Sequence, residues 1–271
     1  MTIHPSASSF SLPGAVQSWE FEALTDAGRV RANNEDAIAV DPALGFALLA
    51  DGKGGYNGGE VASGMAIALL RASFGRWLSH SGPRAPARSV CLALQVGTDE
   101  ANSAILEAGS ANPSLQGMGT TLVLAVLGPH RAIVGHIGDS RCYRLRTGRL
   151  EQLTRDHSLM QDQLDAGLIT PQQAALSPHR NLVTRALGIE RAVELEVNEF
   201  PVETGDLFLL CSDGLSEMIS DNEILQILLQ TDTLAKKAAL LVAAANDNGG
   251  RDNISVVLAH ALGSGTASGA S

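Results

Sequence analysis

Cysteine, positive charge and long apolar runs are all scarce in this 271-residue chain, and each scarcity excludes something. The three cysteines, Cys91, Cys142 and Cys211, cannot all be paired and share no metal-ligand spacing. Cys142 and Cys211 sit in apolar, strand-like stretches, where a free thiol behaves as a small hydrophobe. A reducing cytoplasm is the compartment expected from this usage. Lys and Arg number 19 against 29 Asp and Glu, and the formal charge of −10 argues against nucleic acid or an anionic membrane surface as the main partner. The longest apolar runs, such as TLVLAVL (121–127), are far too short to span a bilayer, so no membrane insertion is expected. The opening residues, MTIHPSASSFSLPGA, carry no basic segment and no continuous apolar stretch, which argues against a signal peptide. No internal repeat is evident.

What is present suits a globular protein. Hydrophobic content of 45% with 18% charged residues is enough for a sizeable core, and the length allows one large domain or two small ones. Residues 1–16, rich in Ser and Pro, and 262–271, ending in GSGTASGAS, read as flexible ends. Between them no linker stands out, only the loop SHSGPRAPARS (79–89), so 17–261 reads as one domain. SWEFEAL (18–24) alternates, with Trp19, Phe21 and Ala23 on one face. GFALLA (45–50), TLVLAVL, AIVGHIG (132–138), DLFLLC (206–211) and ISVVLAH (254–260) read as buried strands. AVELEVNEF (192–200) alternates, and CYRLRTGRLEQLT (142–154) reads as a hairpin turning at Thr147-Gly148. Helical periodicity runs over 60–78, with Val61, Met65, Leu69 and Phe74 on one side, and over 88–109, 221–230 and 233–245, the third opening on a Ser220 or Asp221 cap. Strands joined as hairpins and helices grouped in pairs predict an α+β fold, two stacked antiparallel sheets flanked by pairs of helices.

Four acidic runs, NNED (33–36), ADGKGG (50–55), CSDG (211–214) and GRDN (250–253), lie beside these strands. Carboxylates crowded at strand ends repel one another, and buried unpaired acids cost several kcal/mol each. Convergence on a bound cation relieves both problems, and all-oxygen donors select hard ions such as Mg²⁺ or Mn²⁺. Asp51 follows GFALLA directly; the glycines behind it permit a sharp turn in which a carboxylate and a main-chain carbonyl face one ion. Asp213 repeats the arrangement after DLFLLC, and Asp252 precedes ISVVLA. Arg31, four residues before Glu35, offers a planar fork for a phosphate, and Glu35 and Asp36 are placed to hold metal-bound waters. Asp139, in GHIGDSRCYRL, is either a further ligand or a turn-capping acid paired with Arg141.

The ordered set TDAGRVRANNED, ADGKGG, GMGTTLVLAVL, GHIGDSRCYRL, LTRDHS, NLVTRALG, DLFLLCSDGL and GGRDNISVVL resembles the metal-dependent protein serine/threonine phosphatases of the PP2C (PPM) family, in particular its bacterial single-domain members. The resemblance covers roughly residues 20–260. It implies a β-sandwich flanked by helix pairs, with two Mn²⁺ or Mg²⁺ ions at one end. By that match Asp51 bridges both ions, the Gly52 carbonyl binds one, and Asp213 and Asp252 complete the inner ligands. Glu35 and Asp36 act through waters, Asn253 flanks the last ligand, Arg31 binds the substrate phosphate, and Asp139 belongs to a third, weaker metal site. The segment 156–181 falls where the family carries its flap. The implied reaction is direct attack on phosphoserine or phosphothreonine by a water bridging the two ions. The implied partners are phosphorylated proteins and a cognate Ser/Thr kinase, with the enzyme a cytoplasmic monomer.

Lys53 departs from the pattern, standing where bacterial members usually have Met and many eukaryotic ones His. It is open to three roles: binding phosphate, donating a proton to the leaving group, or pointing to solvent. A catalytically silent phosphoprotein-binding or regulatory module on the same fold is the alternative function, and a small-molecule phosphatase or phosphodiesterase is a third.

Overall fold

The computed structural model describes residues 16, 18–54, 58–82, 85–175, 177 and 182–263. Strands β1 (Ser18–Asp26), β2 (Asp36–Asp41) and β3 (Phe46–Lys53) lead into two long helices, α1 (Gly58–Ser81) and α2 (Ala87–Ala111). The short β4 (Gly119–Thr120) precedes β5 (Leu122–Leu127), β6 (Arg131–Ile137), β7 (Arg141–Arg146) and β8 (Arg149–Gln152). Helices α3 (Leu159–Asp165) and α4 (Pro171–Ala175) follow, then β9 (Glu196–Pro201) and β10 (Leu207–Cys211). The chain ends through α5 (Asp213–Ser216), α6 (Asp221–Leu228), α7 (Leu234–Asp247) and β11 (Ile254–Leu262).

The strands form two sheets, one ordered β1-β11-β10-β7-β8 and the other β2-β3-β5-β6-β9 with β4 beside β3. Every pairing is antiparallel. Alternation within the apolar runs explains the layers. In β3, Phe46, Leu48 and Ala50 pack under α1 and α2, whereas Ala47 and Leu49 face the other sheet. In β10, Phe208 and Leu210 face that same inter-sheet space, and Leu207, Leu209 and Cys211 pack against α6 and α7. Both faces of the central strands are therefore covered, and a period of two is hidden inside what reads as a continuous apolar run. The layers are helices, sheet, sheet, helices, the α+β sandwich expected.

Several local expectations shift. The strand expected over 192–200 pairs only from Glu196, as the edge of its sheet. On α1 the face turned deepest inward is Ala62, Ala66, Leu70, Phe74 and Leu78, next to the stripe expected through Val61, Met65 and Leu69, which is half-buried. Small alanines let the helix lie close on the sheet. Strand β2 and helices α3, α4 and α5 carry too short a period to stand out in the sequence. Trp19, Phe21 and Ala23 do share the inter-sheet face. Val16 is buried there as well, its N–H donating to the Pro129 carbonyl at 3.0 Å. The rest of the N-terminal stretch, residues from 264 onward and positions 176 and 178–181 of the expected flap lie outside the described residues.

Candidate metal centre

β2 and β3 pair so that Asp36 stands directly opposite Asp51. Ile38 and Val40 of β2, and Ala47 and Leu49 of β3, turn toward the other sheet, so alternation puts both acids on that inner face at one end of the sandwich. Like charges directly opposite each other destabilise a ladder, and here Asp51 is buried and Asp36 half-buried. Asp51 is held by its backbone: its N–H donates to Thr121 Oγ1 at 3.0 Å, and its carbonyl accepts from Thr120 Oγ1 at 2.9 Å and Thr121 N–H at 2.9 Å. Gly52 follows because nothing larger fits; an added Cβ would lie against the Gly59 carbonyl and 2.6 Å from that of Glu35.

The second sheet supplies the remaining acids. Asp213, buried, is the first residue of α5, separated from the end of β10 by Ser212, and Asp252 precedes β11. Ser212 binds these parts together: its hydroxyl donates to Asp36 Oδ2 at 2.8 Å and accepts the Ser255 N–H at 3.0 Å. Asn253 is a clamp. Its N–H donates to Asp252 Oδ1 at 2.9 Å, its Oδ1 accepts the Glu35 N–H at 2.8 Å, and its Nδ2 donates to the carbonyls of Ala27 (3.0 Å) and Asn33 (2.9 Å). Arg31 Nη2 donates to Asp252 Oδ2 at 2.7 Å at the half-exposed mouth.

Asp139, buried in the β6–β7 turn, completes the group. Its expected partner Arg141 is taken elsewhere, donating to both oxygens of Asp156 and to the Tyr143 hydroxyl. Lys53 reaches Asp139 instead, its Nζ 3.5 Å from Asp139 Oδ1 and 3.4 Å from Asp213 Oδ2. Lys53 therefore turns into the acid cluster, which removes the solvent-pointing option.

The electrostatics show a cluster short of positive charge. Burial, then Asp213 and Asp36, hold the Asp51 carboxyl well above the usual carboxylate range. Asp36 is pushed up to about 7 by burial, with hydrogen bonds from Ser255 and Ser212 pulling the other way. Asp139 is likewise pushed up to about 7, by burial and then by Asp213. Burial also raises Glu35, against the pull of Arg31. For Lys53 burial works against the charge, but Asp213, Asp51 and Asp139 outweigh it and raise the ammonium. Even with Lys53 in place, Asp213 Oδ1 is buried with no hydrogen-bond partner. A hard-oxygen set with an orphaned carboxylate oxygen at its centre fits divalent Mn²⁺ or Mg²⁺.

Several supporting residues carried no signal of their own: Thr120, Thr121, Ser140 and Ser212 lie inside recognised motifs but act as positioning hydroxyls, Thr121 and Ser140 2.7 Å apart. His136, His157 and Glu196 form a second tight group, with ligand atoms within 4.8 Å. Their hydrogen bonds argue for a strut over a metal site. His157 Nδ1 accepts the Gly138 N–H at 3.2 Å, which leaves the proton on Nε2 to donate to Glu196 Oε2 at 3.2 Å. His136 Nε2 meets the Arg155 carbonyl at 2.7 Å, and burial lowers both rings below the usual imidazole range. The strut holds Gly138, whose φ of +101° suits glycine, in the position that aims Asp139 inward.

Comparison with known proteins agrees with this geometry. The sequence profile of the protein phosphatase 2C family matches residues 26–258. The serine/threonine phosphatase Stp of Listeria monocytogenes is 38% identical over 240 residues, 88% of this chain and 94% of its own length. PstP of Mycobacterium tuberculosis is 41% identical over 240 residues, covering 88% of this chain but 44% of PstP. Among solved structures, the PstP catalytic domain in complex with two manganese ions superposes with a TM-score of 0.79 at 38% identity, covering 90% of this chain and 99% of that one. Stp1 from Staphylococcus aureus gives 0.84 at 29% identity, covering 94% of this chain and 100% of that one. With the eight sequence blocks, the sandwich and the acid cluster all in agreement, the chain belongs to the protein phosphatase 2C family.

Proposed function

We propose that this protein is a metal-dependent phosphatase of phosphoserine and phosphothreonine in proteins, using two Mn²⁺ or Mg²⁺ ions and opposing a Ser/Thr kinase. The observation that carries the reading is the orphaned Asp213 Oδ1 within a set of buried acids, with Arg31 at its mouth. Asp51, the Gly52 carbonyl, Asp213 and Asp252 would hold the ions, and Glu35 and Asp36 would orient waters around them. When bound, two such ions supply positive charge for phosphate oxygens and a water acidic enough to attack phosphorus near neutral pH.

The chain's own residues do the rest. Arg31 turns its fork from Asp252 to the substrate phosphate and offsets charge on the equatorial oxygens during in-line displacement. Asn253 holds Asp252 and the Glu35 loop in register. Thr120 and Thr121 fix the Asp51 backbone. No cysteine serves as a nucleophile, because burial pushes the Cys211 thiol up to about 12 and raises Cys142 and Cys91 too, and a thiol is a poor nucleophile. The three free thiols support a reducing cytoplasm as the place of action.

The test compares wild type with Asp213→Asn on a phosphothreonine peptide and p-nitrophenyl phosphate in Mn²⁺. The variant should melt like wild type but lose at least roughly 100-fold in turnover, about 2.7 kcal/mol in barrier. Comparable turnover in the variant would refute the assignment.

A further inference from the structure

We propose that Lys53 is a built-in cation of the metal centre, occupying the place between Asp139 and Asp213 so that the site takes two divalent ions and not three. The inference rests on the metal-dependent phosphatase reading and narrows it. Lys53 comes from the end of β3, Asp139 from the β6–β7 turn, and Asp213 from the junction of β10 and α5. Its Nζ lies 3.5 Å from Asp139 Oδ1 and 3.4 Å from Asp213 Oδ2, so one ammonium bridges the two carboxylates. The backbone aims it there: Lys53 is paired with Gly119 of β4, which fixes the strand end. The side chain enters from the mouth, 37% exposed, onto acids that are 7% and 9% exposed.

The two oxygens of Asp213 divide the work. Oδ2 faces Lys53, whereas Oδ1 is buried and unpartnered, left for a divalent ion. Charge counting agrees. Asp36, Asp51, Asp139, Asp213 and Asp252 with Glu35 carry six negative charges when ionised, and two divalent ions with Lys53 and Arg31 carry six positive ones. A third divalent ion would overshoot by two charges and stand against a fixed ammonium, with like charges close together in a partly desolvated site.

The test is the number of Mn²⁺ ions bound per chain at saturation, measured on the full chain by equilibrium dialysis with metal analysis. Wild type and Lys53→Arg should bind two. Lys53→Met, which removes the charge at similar volume, should bind a third, weaker ion, and Lys53→Met with Asp139→Asn should return to two. Three ions on the wild type, or two on a folded Lys53→Met, would overturn the proposal. Should Lys53→Met fail to fold, Asp139→Asn on the Lys53 background decides: an unchanged count of two supports the proposal, and a fall from three to two overturns it. A three-ion count with phosphopeptide turnover intact removes only the role of Lys53, whereas a wild type that binds no Mn²⁺ and hydrolyses nothing removes the phosphatase reading.

Discussion

Asp36 and Asp139 are each pushed up to about 7, from an ordinary 3.8, chiefly because they are buried. A carboxyl raised in the folded state binds more protons there than in the unfolded chain. Between about pH 4 and pH 7, therefore, the metal-free protein loses stability as pH rises. Divalent ions held close by should reduce that penalty by stabilising the ionised carboxylates. In melting experiments across this window, the EDTA-treated protein should lose thermal stability with rising pH while the Mn²⁺-loaded protein does not, so the gap between them widens. A gap independent of pH would show that these acids do not sense the bound metal. Arg31 acts at the same scale. Arg31→Ala removes a charge-assisted contact to phosphate worth about 1.5–3 kcal/mol. It should lower kcat/KM on a phosphopeptide by roughly 10- to 100-fold. The Mn²⁺ count should stay the same; loss of bound metal along with activity would instead make Arg31 a support for Asp252.

Among the elements, α6 shows how a short helix is pinned without touching the centre. Ser220 accepts the Glu223 N–H at 3.3 Å, and the Glu223 carboxylate accepts the Ser220 N–H at 2.8 Å, a complete capping box. Ser220→Ala should cost about 1 kcal/mol. That is a fall in melting temperature of roughly 2–4 °C for a domain of this size, with phosphatase activity at low temperature unchanged. This cap was visible in the sequence because the box is local. The β7–β8 turn at Thr147-Gly148, with φ of 47° and 79°, was visible for the same reason. Strand β2 was not: DAIAVD is six residues of intermediate burial, its end merging with the acidic run before it. The start of β9 was misplaced because AVEL alternates like a strand but finds no neighbour there to pair with.

At the scale of the whole molecule, the space between the sheets keeps the acid-bearing ends in register. Phe208 is fully buried there, edge-on to Trp19 with ring centroids 5.8 Å apart. Phe208→Ala should destabilise by about 3–5 kcal/mol. The expected signature is a lower melting temperature with near-normal specific activity in the fraction still folded; unchanged melting would mean that the two sheets are not held together through this packing. The fold class, the strand-adjacent acids and the family pattern could all be read along the chain, because each rests on local periodicity or on short motifs in order. Asp51, Asp213 and Asp252 were named that way, as were Arg31, Glu35, Asp36, Asp139 and Asn253, and the fold brings them to one end of the sandwich. Which groups meet could not be read so. Lys53 and Asp213 are 160 positions apart, Ser212 and Asp36 176, and Arg31 and Asp252 221. Their meeting depends on the stacking of two sheets and the register of every strand between them, and a shift of one residue would turn each side chain to the other face. Arg141 bonds to Asp156 and not to Asp139, so that Lys53 serves Asp139 in its place, and that exchange was settled when the chain folded.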